Sequence, residues 1–324
     1  MDDARIRNLN SFFRHLFGRK VYKVGLWGGF SCPNRDGTLS SEGCTFCNPI
    51  SCHPKSFAEG QSITGQLSDG CRYITWRFNV NSFIAYFQDY TTTYGDLSRL
   101  DALYSEALSY PGVIGLSLCT RPDCLEKSVL DYLEDLSRRT FLWVEVGVQT
   151  SDDSILRDMN RCHTSLDTVN AFENLHARNI FSAAHMIIGY PGSTRETVLA
   201  DAATVRKIGA DGVKLQNLHI LKDTPIEKRF AAGEFELLSI DSYIDMVILF
   251  LEHTEPDVVI LRLTGEAPDT FTVAPQWSLH KMHILNSIHG EMIERNTWQG
   301  KALGFTRSAV EEPLKYSRSR WRTD

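Results

Sequence analysis

The sequence has no long apolar run. None of its stretches approaches the ~18 uninterrupted apolar residues that a membrane-crossing helix needs. The opening residues, MDDARIRNLN, also lack the apolar segment of a secretion signal. The 42% hydrophobic content of the 324 residues is nevertheless enough to bury a real core. We therefore expect a globular, cytoplasmic protein with no membrane partner.

An excess of positive charge is also missing. The net charge of -6 and the pI near 5.9 argue against a protein that coats nucleic acid by bulk electrostatics. Basic residues do crowd both ends of the chain. They are Arg5, Arg7, Arg14, Arg19, Lys20 and Lys23 near the N-terminus, and Lys315, Arg318, Arg320 and Arg322 near the C-terminus. These patches are either solvated tails, which is the simpler interpretation, or local surfaces that bind a phosphate backbone.

Three of the eight cysteines share one loop. Without a secretion signal the cysteines are not expected to form disulfides, because cytosolic thiols stay reduced. Eleven residues separate Cys32 from Cys44, and two separate Cys44 from Cys47. Ordinary zinc and [4Fe-4S] sites take four protein ligands, so three thiolates leave one iron open to nitrogen and oxygen atoms of a ligand. We expect a [4Fe-4S] cluster here, chelated by S-adenosylmethionine (SAM).

Two other interpretations of this loop remain open. Cys52 or His53 could complete a zinc site, and Cys44 with Cys47 could form a redox dithiol, although a dithiol would not need Cys32. The remaining cysteines are expected to be small packed residues rather than ligands of the cluster: Cys52, Cys71, Cys119, Cys124 and Cys162.

Short β-rich runs alternate with helical patterns and predict parallel βαβ units. The six predicted strands are Val21–Leu26, Phe83–Phe87, Val113–Cys119, Leu142–Val148, Phe181–Ile188 and Val213–Leu221. Six such units indicate an α/β fold, a partial (β/α)6 TIM-type barrel with its site at the C-terminal ends of the strands. A doubly wound open sheet is the rival. Ser193 and Glu196 predict a capping box before the helix that follows the fifth strand.

The pattern changes after the sixth strand. A helix at Tyr243–His253 and a strand at Val258–Leu263 indicate a C-terminal α/β extension. We therefore divide the chain into an N-terminal helical segment (1–20), a core barrel (21–235) and an extension packed on the core (236–324).

Several motifs together resemble the YhcC/YtqA family of radical SAM proteins, which is related to the radical SAM core of the Elp3 subunit of Elongator. The matching segments are GGFSCPNRDGT, GCTFCN, YFQDYTTTY, TRPDCL, WVEVGVQ, HMIIGYPG, DGVKLQNLHILKDT, RLTGEAP, APQW and TWQGKALG. Cys119 and Cys162 stand where the family usually has glycine.

The resemblance implies roles for individual residues. Gln149 is expected to bond the SAM ribose, and Arg161 to pair with the SAM carboxylate through its planar fork. His185 would also contact the ribose, and Gly189, with Pro191 and Gly192, would allow a close approach to the adenine. Weaker cofactor candidates are Asp123, Gln88 and Phe46. His219, Gln216, Lys222, Arg262 and Trp277 are guesses for the substrate face.

The resemblance also implies a function. A radical SAM enzyme cleaves SAM reductively to a 5′-deoxyadenosyl radical, with an electron donor such as flavodoxin or ferredoxin as partner. The family includes a member linked to the wobble-uridine side chain of tRNA, so tRNA modification is the leading expectation. The alternatives are a small metabolite or peptide substrate, and a non-catalytic iron-sulfur binding or sensor protein. Catalytic residues beyond the cluster are not predicted.

Overall fold

A computed structural model describes residues 4–48 and 60–312 of the chain. Cys52, His53 and the C-terminal basic residues Lys315, Arg318, Arg320 and Arg322 lie outside the described residues. Among the described residues, no helix is both long and apolar enough to span a bilayer.

The core is a single sheet of seven parallel strands that curls into a half-barrel. Its strands are β1 (Tyr22–Leu26), β2 (Phe83–Phe87), β3 (Val113–Thr120), β4 (Phe141–Gln149), β5 (Phe181–Ile188), β6 (Gly212–Asn217) and β8 (Val259–Arg262). They lie side by side in chain order, whereas a doubly wound sheet reverses its order at a switch point. The predicted partial barrel is confirmed, and the rival fold is excluded.

Two strand predictions need correction. The sixth predicted run, Val213–Leu221, is broken after Asn217, and its last residues form β7 (Ile220–Leu221), which pairs antiparallel with β9 (Thr272–Ala274). The strand assigned to the extension is β8, and it pairs with β6 as the seventh strand of the barrel sheet. Pairing β8 with β6 satisfies backbone groups that would otherwise form an exposed sheet edge.

Helices connect the strands and cover the outer face of the sheet. They are α1 (Leu9–Phe17), α2 (Ile63–Phe78), α3 (Leu97–Leu108), α4 (Lys127–Arg139), α5 (Asp153–Asp158), α6 (Ser165–Ala177), α7 (Arg195–Lys207), α8 (Pro225–Ala231), α9 (Ile240–Glu252) and α10 (Lys281–Glu294). The predicted capping box is wrong by one residue: Thr194 caps α7 with Thr197 as its partner. The backbone amide of Ser193 instead closes the preceding turn on Tyr190.

Helix α1 closes the bottom of the barrel, at the N-terminal ends of the strands. Its Phe12 and Phe13 pack edge-on against Trp143 of β4, with ring centroids 5.2 and 6.4 Å apart. These side chains belong to one buried cluster that also contains Phe141 and Phe181. Aromatic pairs of this geometry add to the stabilisation from burial alone. The lumen of the half-barrel is therefore sealed at this end.

The N-terminal basic patch is neither a solvated tail nor a single charged surface. Arg5 is buried and donates to the carbonyls of Met292 and Thr297, and Arg7 is buried and donates to those of Pro256 and Ala309. Both arginines thus tie the first residues to the C-terminal region. Only Arg14, Arg19 and Lys20 of the six are exposed, and they follow or lie on α1, at the sealed end.

Candidate active site

The cysteine loop lies at the open end of the barrel, where the C-terminal ends of the strands meet. Cys32, Cys44 and Cys47 all line one cavity of about 1070 Å³ that runs down into the lumen. Cys32 and Cys44 are buried and Cys47 is half-buried. The loop follows β1 directly, which is the position where barrels of this class build their sites.

Side-chain hydrogen bonds fix the conformation of this loop. Asn34 donates to the carbonyl of Asn160 at 2.5 Å and to the sulfur of Cys44 at 3.4 Å, and Asn160 donates back to the carbonyl of Gly43 at 2.7 Å. Arg35 donates to the carbonyl of Cys47 at 2.7 Å. The three thiols are therefore held in place by the loop and by the turn after α5.

Of the two residues between Cys44 and Cys47, Thr45 anchors the loop more firmly than Phe46 does. The amide of Thr45 donates to the carbonyl of Met159, and its hydroxyl lies 2.8 Å from that of Tyr190. Phe46 lines the cavity and packs beside a small apolar cluster that contains Tyr190 and Ile226. The loop thus joins the barrel to α8, which begins at the residue before Ile226.

Two predicted SAM contacts lie beside the cysteines. Arg161 donates from Nη1 to the sulfur of Cys44 at 3.3 Å and from Nη2 to the carbonyl of Gly147 at 2.8 Å. Gln149 ends β4 with a positive φ of 73°, which turns its side chain toward the same spot. A Cβ at Gly147 would come within 2.8 Å of the Gln149 amide and 3.1 Å of the Arg161 guanidinium. A side chain at position 147 would therefore push the ends of Gln149 and Arg161 out of this position.

These residues fit a [4Fe-4S] cluster with SAM. None of the described cysteines forms a disulfide, so the three loop thiols are available as ligands. Buried polar atoms without a hydrogen-bond partner in the described part of the chain gather next to them: Asn34 Oδ1, Arg121 Nη1, Gln149 Oε1 and Arg161 Nε. Unpaired buried groups cost stability unless a ligand satisfies them, and an amino acid linked to a nucleoside offers matching donors and acceptors.

The other predicted cofactor contacts divide into two groups. Gln88 and His185 line the cavity together with Phe46. Asp123 does not, because its carboxylate forms a bidentate pair with Arg121 at 2.9 and 2.8 Å. Gly189 is absent from the cavity wall as well: it has a φ of 87°, and a Cβ there would meet Leu238 at 2.8 Å. The positive φ and the close approach of Leu238 both favour glycine here, and the contact with the adenine stays a prediction.

The cysteines left out of the cluster have the properties of packed thiols. Burial raises the pKa of Cys71, Cys119 and Cys124 to about 12, so all three stay protonated at neutral pH. Cys162 is exposed and points its sulfur toward Asn160. Partial desolvation of its thiol nevertheless raises the pKa of Cys162. A metal ligand must be a thiolate, and these surroundings do not favour one.

A charged network that the sequence analysis missed fills the middle of the lumen. Glu145 of β4 has a side chain only 1% exposed, and both of its oxygens are occupied. Lys23 and Ser117 donate to Oε1, the latter at 2.5 Å. His185 Nε2 lies 2.6 Å from Oε2, and Lys214 donates to Oε2 at 3.3 Å. The Tyr86 hydroxyl of β2 also donates to Oε2, at 3.4 Å. Glu145 is therefore the hub of five polar contacts from five different strands.

The network sets the charges of its members. Burial alone would raise the pKa of Glu145, but the ammonium groups of Lys23 and Lys214 hold it well below its usual value. Burial lowers the pKa of His185 to about 4 and also lowers that of Lys214, which donates to the Tyr86 hydroxyl at 2.7 Å. At neutral pH the network contains an ionised carboxylate and a neutral imidazole.

Cys119, Glu145 and His185 also have ligand atoms within 4.8 Å of one another. Sulfur, carboxylate and imidazole together suit zinc. The Glu145 carboxylate is, however, already bound by two lysines, and the Cys119 thiol bonds the Tyr86 hydroxyl at 3.0 Å. A divalent ion would have to displace both ammonium groups, so the arrangement is a hydrogen-bonded network and not a metal site.

Of the five residues predicted for the substrate face, only three lie in the cavity wall. Gln216, His219 and Arg262 line the cavity near the ends of the late strands. Lys222 is exposed, outside the cavity wall. Trp277 packs on Tyr243 and donates its indole N–H to the carbonyl of Leu238 at 3.1 Å, so it supports the fold.

Helix α2 presents two exposed aromatic side chains next to the cavity. Trp76 is 78% exposed and Tyr73 is 58% exposed, and their ring centroids are 6.2 Å apart. Tyr73 also lines the cavity, on the side of the edge strand β1. Arg72 and Arg77 are exposed on the same helix. Adjacent exposed aromatic groups beside a cavity mark a candidate interaction surface. We call this surface (Arg72, Tyr73, Trp76 and Arg77) the α2 aromatic face.

Known proteins are similar to this chain in sequence and in fold. The radical SAM superfamily model matches residues 41–205, and the Radical_SAM C-terminal domain model matches residues 210–294. YtqA of Bacillus subtilis is 36% identical over 299 residues, covering 92% of this chain and 93% of YtqA. YhcC of Escherichia coli is 33% identical over 289 residues, covering 89% and 92%.

A solved structure, the archaeal Elp3 of Methanocaldococcus infernus, superposes with a TM-score of 0.66 at 15% identity. The superposition covers 86% of this chain and 64% of that one. At this identity the likeness concerns the fold.

Proposed function

The chain belongs to the radical SAM superfamily, within the family of YtqA and YhcC, and on this premise we propose that Cys32, Cys44 and Cys47 hold its [4Fe-4S] cluster and that its substrate is tRNA. One observation carries the cluster assignment: three thiols that form no disulfide line a single cavity, and the Arg161 guanidinium donates to one of them, that of Cys44. As an enzyme of this superfamily the protein uses a [4Fe-4S] cluster and SAM.

A cluster held by Cys32, Cys44 and Cys47 would supply the one electron needed for reductive cleavage of SAM to methionine and a 5′-deoxyadenosyl radical. Arg161 binds the SAM carboxylate with its planar fork, and Gln149 bonds the ribose hydroxyls. Asn34 and Arg35 hold the cysteine loop in the conformation that this binding needs. The buried cluster of Phe12, Phe13, Phe141, Trp143 and Phe181 at the bottom of the lumen, which we call the aromatic plug, excludes water from that end and would protect a reactive intermediate from side reactions.

The proposed reaction modifies the side chain of a wobble uridine in tRNA. The resemblance to a family with a member linked to this nucleoside supports it. The α2 aromatic face supports it independently, because exposed aromatic rings beside cationic groups are a stacking platform for unpaired bases. The basic residues Arg14, Arg19 and Lys20 do not contribute at the cavity mouth, since they lie at the opposite end of the barrel.

The first experiment tests the α2 aromatic face. Each base stacked on an aromatic side chain contributes about 1–3 kcal/mol, so we expect the double variant Tyr73→Ala/Trp76→Ala to weaken tRNA binding about tenfold or more. Leu166→Ala is the matched control, because Leu166 is 65% exposed on α6 and should have no effect on tRNA binding. Equal affinities of the double variant and the wild type would remove this face from the proposal.

The second experiment identifies the substrate. Anaerobic holoprotein with SAM and a reductant is incubated with tRNA from a strain that lacks the gene, and the nucleosides are analysed by mass spectrometry. We expect one wobble-position nucleoside to change mass. Binding should fall steeply with salt, by about 0.7–0.9 in log affinity per log unit of salt for each phosphate contact. If no tRNA binds at low salt and no nucleoside changes, a small metabolite or peptide becomes the leading substrate.

The non-catalytic alternative, an iron-sulfur binding or sensor protein, predicts a different result. The cluster would then form, but incubation with SAM and reductant would release no 5′-deoxyadenosine. The membership of an enzyme superfamily and the buried polar atoms around Arg161 favour the catalytic interpretation.

A further inference from the structure

Arg262 is a cation in the lumen wall without an acidic partner among the described residues. It ends β8, lines the cavity and is only partly exposed. Its Nε donates to the carbonyl of Thr264, whereas Nη2 is buried and has no hydrogen-bond partner in the described part of the chain. No ion pair joins it to any residue of ranges 4–48 and 60–312. A buried guanidinium nitrogen with no acceptor is costly unless a ligand supplies one.

The surroundings of Arg262 are short of negative charge. Lys214 is its register partner on β6, and both side chains face the cavity. The described acidic residues of the cavity wall are Glu145 and Glu266. Glu145 is committed to Lys23, Lys214, Ser117 and His185, and Glu266 binds Lys281 at the rim. Arg262 therefore leaves this side of the lumen with an uncompensated positive charge.

Neutral groups beside Arg262 complete a polar pocket. His219 is half-buried, and its buried Nε2 has no hydrogen-bond partner in the described part of the chain. Burial and the nearby Arg262 lower the pKa of His219 to about 4, so the ring is neutral. Gln216 lies on the same wall. The pocket thus contains a cation and uncharged polar groups that can bond an anionic oxygen.

The position of the pocket restricts which anion it suits. Arg262 lies on a strand inside the lumen and not on the loops at its mouth. A phosphodiester inside an RNA strand has nucleotides on both sides. If Arg262 bound such a phosphate, the strand would have to enter and leave the lumen. A carboxylate at the end of one substituent can enter from the mouth alone, and its two oxygens match the planar fork of an arginine.

We propose that Arg262, with Lys214 beside it, binds a carboxylate group of the substrate inside the lumen. This inference rests on the proposed function only in taking the lumen as the substrate site. It adds the chemical class of the group that is held there, whether that group belongs to a modified nucleoside or to a small molecule.

The test uses anaerobic, cluster-loaded protein with SAM and no reductant, and measures ligand contact by saturation-transfer difference NMR. The probes are acetate and its neutral isostere acetamide, each at millimolar concentration. We expect a saturation-transfer signal for acetate at least fivefold above that for acetamide. Arg262→Gln, which removes the charge but keeps an amide donor, should reduce the acetate signal at least fivefold. Equal signals in the variant and the wild type, or for the two probes, would overturn the proposal.

Two further variants and a competitor sharpen the test. Arg138→Gln is the matched control on an exposed helix, and it should leave the acetate signal unchanged. Arg262→Lys keeps a cation and decides the question if Arg262→Gln does not fold: its signal should fall two- to fivefold, and an unchanged signal would contradict the bidentate geometry. Inorganic phosphate at equal concentration should leave most of the acetate signal, and complete displacement would assign the pocket to phosphate instead.

Failure of this test is distinguishable from failure of the proposed function. The assay needs neither RNA nor SAM cleavage, so acetate binding would stand if the substrate proved to be a metabolite. Conversely, a modified tRNA nucleoside with no acetate contact would remove only the carboxylate pocket.

Discussion

Replacing Glu145 with glutamine should destabilise the protein more than any other single change of a charged residue in the lumen. The carboxylate is almost completely buried and, within the described part of the chain, carries the only negative charge that faces Lys23 and Lys214 in this layer. The glutamine side chain would keep one oxygen for Lys23 and Ser117. Its amide group would, however, present N–H donors to the Lys214 ammonium, which also donates.

The expected magnitude follows from the loss of a buried partner. Removing one member of a buried ion pair costs about 3–5 kcal/mol, because the remaining charge stays desolvated and unpaired. For a chain of this size about 1 kcal/mol lowers the melting temperature by roughly 2 °C, so Glu145→Gln should lower it by roughly 6–10 °C. Lys214 can lose its proton in response, which places the expected effect toward the lower end.

Chemical denaturation and thermal melting of the variant measure this effect, with Glu134→Gln as the control. Glu134 pairs with Arg138 on the surface of α4, where such pairs are worth about 0–1 kcal/mol. The Glu145 contribution also depends on pH. Because its folded pKa lies below the ordinary 4.5, the contribution is present above that pH and is lost as the pH falls below it. A Glu145→Gln variant within about 1 kcal/mol of wild type at pH 7 would refute the network as a stabilising unit.

Three further predictions concern separate parts of the molecule. Arg161→Gln should weaken SAM binding about tenfold to hundredfold in anaerobic equilibrium titrations, because a charge-assisted pair is lost, while iron content stays unchanged; equal SAM affinity would remove Arg161 from the site. Phe13→Ala should cost about 3–5 kcal/mol in urea denaturation by opening the aromatic plug, and a cost under about 1 kcal/mol would contradict that packing. Burial raises the pKa of Asp201 to about 6, so its ionised form is disfavoured in the folded state, and wild-type stability relative to Asp201→Asn should decline as the pH rises from about 4 to 6; a melting-temperature difference that is flat over this range would contradict it.

The sequence predicted those features that depend on local pattern. The barrel strands are apolar runs of the right length between turn residues, and parallel βαβ order follows from their alternation with helices. The cysteine loop was predictable for the same reason: its spacing is local, and it directly follows β1. The cavity confirms that Cys32, Cys44 and Cys47 line one space, while their role as ligands stays a prediction.

The lumen network was not predicted because its partners are far apart in the chain. Glu145 and Lys214 are separated by 69 residues, and each is the single charged residue of its strand. A lone charge in a buried strand is itself a signal, since it must find a partner or lose its charge. The sequence reveals that requirement but not which residues meet it.

The prediction of a basic surface patch at the N-terminus was wrong for a related reason. Arg5 and Arg7 are indistinguishable in sequence from Arg14 and Arg19, yet the former bond buried carbonyls and the latter face solvent. The sequence cannot separate two roles of Gly189 either. A glycine with a positive φ suits a turn beside a ligand and a turn beside Leu238 equally well. In each case tertiary contacts decide between roles that the local pattern cannot separate.

The central claim is that the loop thiols bind the cluster that cleaves SAM, and release of 5′-deoxyadenosine tests it most directly. Anaerobically reconstituted wild-type protein should hold about four irons and form 5′-deoxyadenosine from SAM and dithionite. Cys32→Ala, Cys44→Ala and Cys47→Ala should each abolish both, whereas Cys162→Ala should retain them. A loop variant that still forms 5′-deoxyadenosine, or a wild-type protein with four irons that forms none, would contradict the account.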